Sequence, residues 1–373
     1  MTSVPTLGQI PPGVVTLADH EAHARTVLDD NAWAYFSGGA ADEITLRANR
    51  EAWDALLLHP RVLRPMAGGH TRVRLLGRTL AHPVLLAPAA FQRMAHPDGE
   101  LATAYAAAMQ GAGLVLSTQA SVPLETVAQA IRGEPGRGPL WFQLYMQHDR
   151  GFTRELAQRA EQAGYEALVL TVDASASGAR DRERRAGFRL PDGVSAVNLA
   201  NLPPALTPAL QPGQSALFDG LLATAPTWAD VEWLQAQTRL PVLLKGVLHE
   251  DDARQAAVLR VGGLIVSNHG GRTLDTVPAT ARVLPRIVAA VAGACPVLVD
   301  GGIRRGTDVL KAMALGAQAV LVGRPYVFGL ANAGALGVAH VLRLLRDELE
   351  IAMALSGCAT LEQATPSLLF RQS

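Results

Sequence analysis

From Pro83 onward, short apolar runs rich in Val, Leu and Ile alternate with longer stretches whose apolar positions recur at helical spacing. The runs predict strands at Val84–Ala87, Leu114–Ser117, Leu140–Tyr145, Ala167–Asp173, Val242–Lys245, Gly263–Ser267, Val297–Asp300 and Val320–Gly323. The stretches between them predict helices at Gly99–Gln110, Leu124–Ile131, Thr153–Ala163, Trp228–Thr238, Glu250–Leu259, Thr280–Val291 and Thr307–Leu315, with a last helix over Gly337–Leu355. Continuous apolar strands separated by helices argue for a parallel sheet covered on its faces. Eight such units predict an α/β protein of the closed (β/α)8 TIM-barrel type. An open doubly wound sheet is the alternative, but its first turn would carry a glycine fingerprint, and Ala87-Pro88-Ala89-Ala90 carries none.

Residues 1–66 read as a helical preface. Thr16 is placed to cap a first helix, Trp33–Gly39 ends a second on glycine, and an amphipathic segment runs from Glu43 to Leu57. Val73–Leu76 and Thr79–Leu80 flank Gly77-Arg78 as a small hairpin. One connection, Ala174 to Pro226, is far longer than the others and holds no Lys or Arg between Leu190 and Thr238. Its middle is expected to be mobile, and a basic membrane-binding surface is not expected there.

The polar residues break the apolar pattern at one place in each unit. Strand tips end in Gln143-Leu144-Tyr145, Thr171-Val172-Asp173, Lys245-Gly246, Ser267-Asn268-His269, Asp300-Gly301-Gly302 and Gly323-Arg324. In a barrel of this type chemistry sits at the carboxyl ends of the strands, and unpaired buried charge is costly, so six polar tips point to a site. The stretch Ser267–Asp275 is the sharpest. His269 is a candidate base, two glycines allow a tight turn, and Arg272 is a candidate carboxylate clamp together with Arg180. Asp173, on another tip, can orient the imidazole and stabilise its charged form. Asp300-Gly301-Gly302-Ile303-Arg304 and Gly323-Arg324 place glycine amides and arginines after the last two strands, the usual phosphate position in this fold.

Composition narrows the class further. The chain has 373 residues and zero formal net charge, which gives no footprint for nucleic acid. Cys295 and Cys358 are too few for a disulfide framework and suggest a reducing, cytoplasmic setting. No signal peptide is read at the N-terminus, and no stretch is read as a membrane span. Of 33 basic residues only Lys245 and Lys311 are lysines, leaving 31 arginines. A lysine on a strand tip in such a chain suggests a chemical requirement.

These residues resemble the FMN-dependent L-2-hydroxy-acid oxidases and dehydrogenases, the family of glycolate oxidase, lactate oxidase, mandelate dehydrogenase and hydroxymandelate oxidase. The matching stretches are Tyr35–Asn49, Ala87–Glu100, Phe142–Tyr145, Leu170–Asp173, Lys245-Gly246, Ser267–Asp275, Asp300–Thr307 and Gly323–Pro325, which together span nearly the whole chain outside the long loop. The resemblance implies a single FMN-binding barrel domain over residues 1–373, with 174–226 as an active-site loop. It implies that Pro88, Ala89 and Ala90 lie along the flavin, with Ser117, Gln143 and Thr171 at the ring edge. Lys245 would stabilise the reduced ring, Ser267 would contact the ribityl chain, and Asp300, Gly302, Arg304, Gly323 and Arg324 would hold ribityl and phosphate. Tyr35, Arg180 and Arg272 would bind the substrate carboxylate, Tyr145 its hydroxyl region, with His269 as base and Asp173 as its partner. No metal is implied.

The expected reaction is oxidation of a small L-2-hydroxy acid, lactate-like or mandelate-like, with O2 as acceptor giving H2O2. A dehydrogenase passing electrons to a quinone or another carrier is the alternative, and an FMN-dependent isomerase a more distant one. Gln119 stands where glycolate oxidase has an aromatic, Ser175 and Ala176 replace Pro and Arg after Asp173, and Ala90 leans towards oxygen. The family suggests a homotetramer or octamer.

Overall fold

The computed structural model describes residues 8–205, 211 and 213–370. Three helices, α1 (Leu17–Val27), α2 (Asp30–Ser37) and α3 (Ile44–Ala55), precede a hairpin of β1 (Val73–Leu75) and β2 (Arg78–Leu80). Thr16 and Asp19 form a capping box on α1, and Asp29 caps α2 by accepting from the Ala32 amide. The hairpin turn falls on Leu76-Gly77, one residue earlier than expected, and both have positive φ as a two-residue turn of this twist requires.

Eight parallel strands then close on themselves: β3 (Val84–Leu86), β4 (Gly113–Leu116), β5 (Leu140–Leu144), β6 (Ala167–Thr171), β7 (Val242–Val247), β8 (Gly263–Val266), β9 (Val297–Val299) and β10 (Ala319–Val322). β10 pairs with both β9 and β3, completing the expected (β/α)8 barrel. The intervening helices are α4 (Gly99–Gln110), α5 (Leu124–Ile131), α6 (Arg150–Ala163), α7 (Asp181–Arg185), α8 (Trp228–Gln237), α9 (Glu250–Val258), α10 (Thr280–Val291) and α11 (Gly306–Ala314). β8, β9 and β10 stop one residue before Ser267, Asp300 and Gly323, whereas Gln143, Thr171 and Lys245 are still paired in the ladder as the carboxyl ends open. The expected mobility of the long loop's middle falls on residues 206–210 and 212, outside the described residues. Inside that loop α7, five residues long, was not anticipated.

The last helix, α12, runs from Arg324 to Ser356, not from Gly337. Its opening turns were missed because Arg324-Pro325 read as the end of a strand tip. Pro325 in the first turn is the signal that marks a helix start there. Non-helical angles at Ala333 and Gly334 break it into two rods. By length and hydropathy α12 would cross a membrane, which the sequence reading did not anticipate. However, 61% of its most apolar window is buried within the fold, where it packs on α1, α4 and α11.

Side chains alternate along each barrel strand, odd positions inward and even positions outward on β4 for example. Leu85, Val115, Trp141, Val169, Leu243, Ile265, Leu298 and Leu321 form the interior core, and Leu75 and Leu80 of the hairpin plug its floor. Two residues further along the same inward-facing rows come Ser117, Gln143, Thr171, Lys245, Ser267 and Asp300. One alternation therefore lays an apolar floor and a polar mouth in the same barrel.

Candidate active site

His269 is positioned by backbone conformation as much as by sequence. It and the next two residues, Gly270 and Gly271, all have positive φ, so the chain turns back as it leaves β8. The His269 amide donates to Ser267 Oγ at 3.1 Å, fixing the turn. Its Nδ1 lies 2.9 Å from Asp173 Oδ1, across two strand tips. With Nδ1–H donated to that carboxylate, Nε2 keeps its lone pair towards the cleft. Burial lowers the His269 pKa; Asp173 opposes this, but the Lys245 and Arg272 charges add to it, and the net result lies below 6.5. The imidazole is therefore neutral at neutral pH and able to accept a proton. Burial would raise the Asp173 carboxyl, but His269 and Lys245 outweigh it and hold it below its ordinary value. Gly246 has φ of 113°, and a Cβ there would strike the Asp173 side chain. This explains a glycine directly after the strand-tip lysine.

Lys245 is 4% exposed and bonds Asp300 Oδ2 at 3.0 Å and Ser267 Oγ at 2.9 Å. Burial alone would lower its pKa, yet the Asp300 and Asp173 carboxylates raise it above the usual lysine value, so it stays charged in the barrel mouth. Next to it a polar chain crosses three strands. Gln143 donates to Thr171 Oγ1 at 3.0 Å and accepts from Ser117 Oγ at 3.3 Å and the Thr118 amide at 3.2 Å.

On the other side of His269 stand the arginines. Arg272 donates to the carbonyls of Tyr35 at 2.5 Å and Gly38 at 2.8 Å, and its guanidinium lies 5.0 Å from the Tyr35 ring centroid. The Phe188 ring stacks on Tyr35, with centroids 4.9 Å apart. Arg180 lines the same cleft, as do Tyr35, Tyr145, Pro88, Ala89 and Ala90. Burial raises the Tyr35 and Tyr145 hydroxyls well clear of neutral pH, so both remain donors.

Two of the residues expected at the cofactor also make bonds within the protein. Ser267 is fully buried and does not line the cleft; its hydroxyl is spent on Lys245 and the His269 amide. Arg324 lines the cleft, but its Nε, Nη1 and Nη2 donate to the carbonyls of Phe36, Gly270 and Gly38, tying α2 to the His269 turn. Residues that the sequence did not single out hold the rim from outside. Asn49 and Asn268 exchange side-chain hydrogen bonds, Trp53 Nε1 donates to the Gly301 carbonyl, and Arg50 grips both Gly302 O and Asp308. The helical spacing of Asn49, Arg50 and Trp53 on one segment was the available signal. Glu183 was also missed. Its carboxylate takes Arg272 Nη2 at 3.0 Å and Arg180 Nη1 at 3.3 Å.

The residues present fit FMN. Asp300 Oδ1 is buried without a partner, and Gly323 is so open that an added Cβ would meet only Ala87, at 3.9 Å. Gly301 and Gly302 have positive φ, and α12 begins directly after Gly323. Burial first, then the charges of Arg272 and Arg304, depress the Arg324 guanidinium, and burial likewise depresses Arg304. A guanidinium keeps its proton, so this crowding of buried positive charge is relieved by an anion such as a phosphate. The Ser117–Gln143–Lys245 row supplies donors and acceptors for the heteroatom edge of a planar ring.

Fold and site together define a flavin-dependent (β/α)8 oxidoreductase. Residues 24–371 match the FMN-dependent dehydrogenase family. The chain is 52% identical to an L-lactate oxidase of Roseobacter sp. (strain GAI101), covering 95% of this chain and 94% of that one. It is 44% identical to glycolate oxidase 1 of Zea mays, with 96% of each covered. A solved structure of mandelate oxidase with benzoyl-formic acid aligns with a TM-score of 0.85 and 44% identity, over 96% of this chain and 98% of that one. The chain belongs to the FMN-dependent dehydrogenase family. Its cofactor is FMN, and it is a 2-hydroxy-acid oxidase.

Proposed function

We propose that the substrate is an L-2-hydroxy acid with a small apolar side chain, L-lactate first, and that oxygen is reduced to H2O2 as the 2-oxo acid forms. The observation that carries this is the His269 imidazole, held by Asp173 with its second nitrogen facing a cleft shared with Arg180, Arg272, Tyr35 and Tyr145. Three relatives at 48–52% identity named L-lactate oxidase support the choice of acid.

Bound FMN supplies the two-electron acceptor. Arg180, Arg272 and Tyr35 hold the substrate carboxylate, which fixes the reacting carbon relative to His269. Tyr145 donates to the hydroxyl region. His269 Nε2 takes a proton from the 2-hydroxy acid, and Asp173 stabilises the imidazolium. Lys245, paired with Asp300, would provide a fixed positive charge beside the cofactor. Pro88, Ala89 and Ala90 would line the cofactor, as would Ser117, Gln143 and Thr171, and Gly302, Arg304 and Gly323 would take its phosphate end. Ser267 also supports Lys245 and the His269 turn, and Arg324, beside the phosphate end, also ties the Phe36, Gly38 and Gly270 carbonyls together. Oxygen uptake with stoichiometric H2O2 on L-lactate is expected; dye reduction without oxygen uptake would instead identify a dehydrogenase.

A second reading is an aryl acid such as mandelate. A further cavity opens from the cleft past Gln119 and Tyr145 and is lined by Phe91, Met146, Phe188 and Leu199, which leaves room for a ring. The ratio of kcat/KM on L-lactate and (S)-mandelate decides between them. We also propose a cytoplasmic homotetramer or octamer; the free thiols of Cys295 and Cys358 accord with a reducing compartment, and light scattering on the purified protein reads the assembly.

A further inference from the structure

The two arginines that face the substrate already share a carboxylate. Glu183, in the middle of α7, places Oε1 between Arg272 Nη2 and Arg180 Nη1. All three side chains are largely buried, at 13% exposure for Glu183, 14% for Arg272 and 25% for Arg180. The Arg180 guanidinium is not saturated, since its Nε is buried without any partner. We infer that Glu183 is a specificity residue: it cancels one of the clamp's two positive charges, so that the site takes 2-hydroxy monocarboxylates and disfavours dicarboxylates. The inference rests on the reading of Arg180 and Arg272 as the carboxylate clamp.

The surroundings support this. A second carboxylate on the substrate would have to extend into the outer cavity. The charged side chains lining that cavity are Asp149, Glu183 and Arg180, so acid outnumbers base there. Asp149 is committed to capping α6, where it accepts from the Phe152 amide, and His148 is bonded to the Pro203 carbonyl. Most of the remaining wall is apolar or uncharged. Without Glu183 the clamp would carry two uncompensated positive charges at short range from any bound acid, and an ion of charge two gains twice as much from the added field as an ion of charge one.

The test uses FMN-loaded enzyme titrated with oxalate, a dianion, and propionate, a monoanion, followed by the flavin absorbance. Glu183→Gln keeps the shape and removes the charge. Oxalate affinity is expected to rise about tenfold and propionate affinity about threefold, moving the ratio towards the dianion. The kcat/KM on 2-hydroxysuccinate rises relative to L-lactate in the same variant. Glu183→Ala shifts the ratio in the same direction, whereas Glu183→Asp keeps the wild-type ratio. A purely structural tie would weaken both anions equally. An unchanged oxalate-to-propionate ratio in both neutral variants overturns the inference. Arg180→Met separates the two levels of the argument. If it binds both anions as tightly as wild type, the clamp reading itself fails. If it weakens both while Glu183→Gln leaves the ratio alone, only the role of Glu183 is lost.

Discussion

The floor and the mouth of the barrel are built from the same inward-facing rows and differ in every other respect. At the floor Leu85, Trp141, Val169, Leu243 and Ile265 are at most 1% exposed, and the hairpin leucines 75 and 80 close them off. No charge enters. At the mouth, two residues further along, the rows carry Gln143, Thr171, Lys245, Ser267 and Asp300. Among the described residues, three of the five buried side-chain atoms without a partner belong to Asp173, Arg180 and Asp300. An unpaired buried polar atom costs roughly 1–3 kcal/mol. The floor thus contributes stability without chemistry, while the mouth keeps polar atoms available to cofactor and substrate.

Substitutions at the two ends should therefore separate turnover from stability. His269→Gln is expected to lower kcat/KM by about 10⁴ while the protein remains yellow and FMN-loaded. Rapid anaerobic bleaching of that variant by substrate would remove His269 as the base. Leu80→Ala, at the floor, should cost about 3 kcal/mol in urea unfolding and leave KM unchanged. A change in KM would mean that floor and mouth are coupled. Asp173→Asn should lower kcat/KM by about 10², with FMN retained. Smallest is the response to pH. Because His269 lies below 6.5 in the folded protein, wild-type kcat/KM is flat at neutral pH and falls as pH drops through the depressed pKa. Since the Asp173 charge raises that pKa, Asp173→Asn should move the acid limb lower still. A limb above 6.5, or one that moves upward in the variant, would break the assignment.

The strands were legible because a fully buried parallel strand must be apolar on both faces, which leaves a short uninterrupted run. The polar tips were legible because each interrupts such a run at its end. The pairing of His269 with Asp173 was legible from their places on the rim; that of Lys245 with Asp300 was not. The first turns of α12 were legible only from Pro325, since a helix that is apolar on most sides gives no periodic signal. Glu183 was hidden among the charges of Arg180–Arg185, where nothing local distinguishes the one acid that turns inward.

By itself the sequence determined the eightfold alternation, the side of the barrel that carries chemistry and the residue types on its rim. These are properties of spacing, and spacing is local. The tertiary structure alone decided the partners: that Arg324 ties α2 to the His269 turn, that Ser267 accepts from Lys245, and that Arg180 and Arg272 share Glu183. Hydrogen bonds are set by distance and direction in three dimensions, and residues 36, 183, 272 and 324 become neighbours only when the barrel closes.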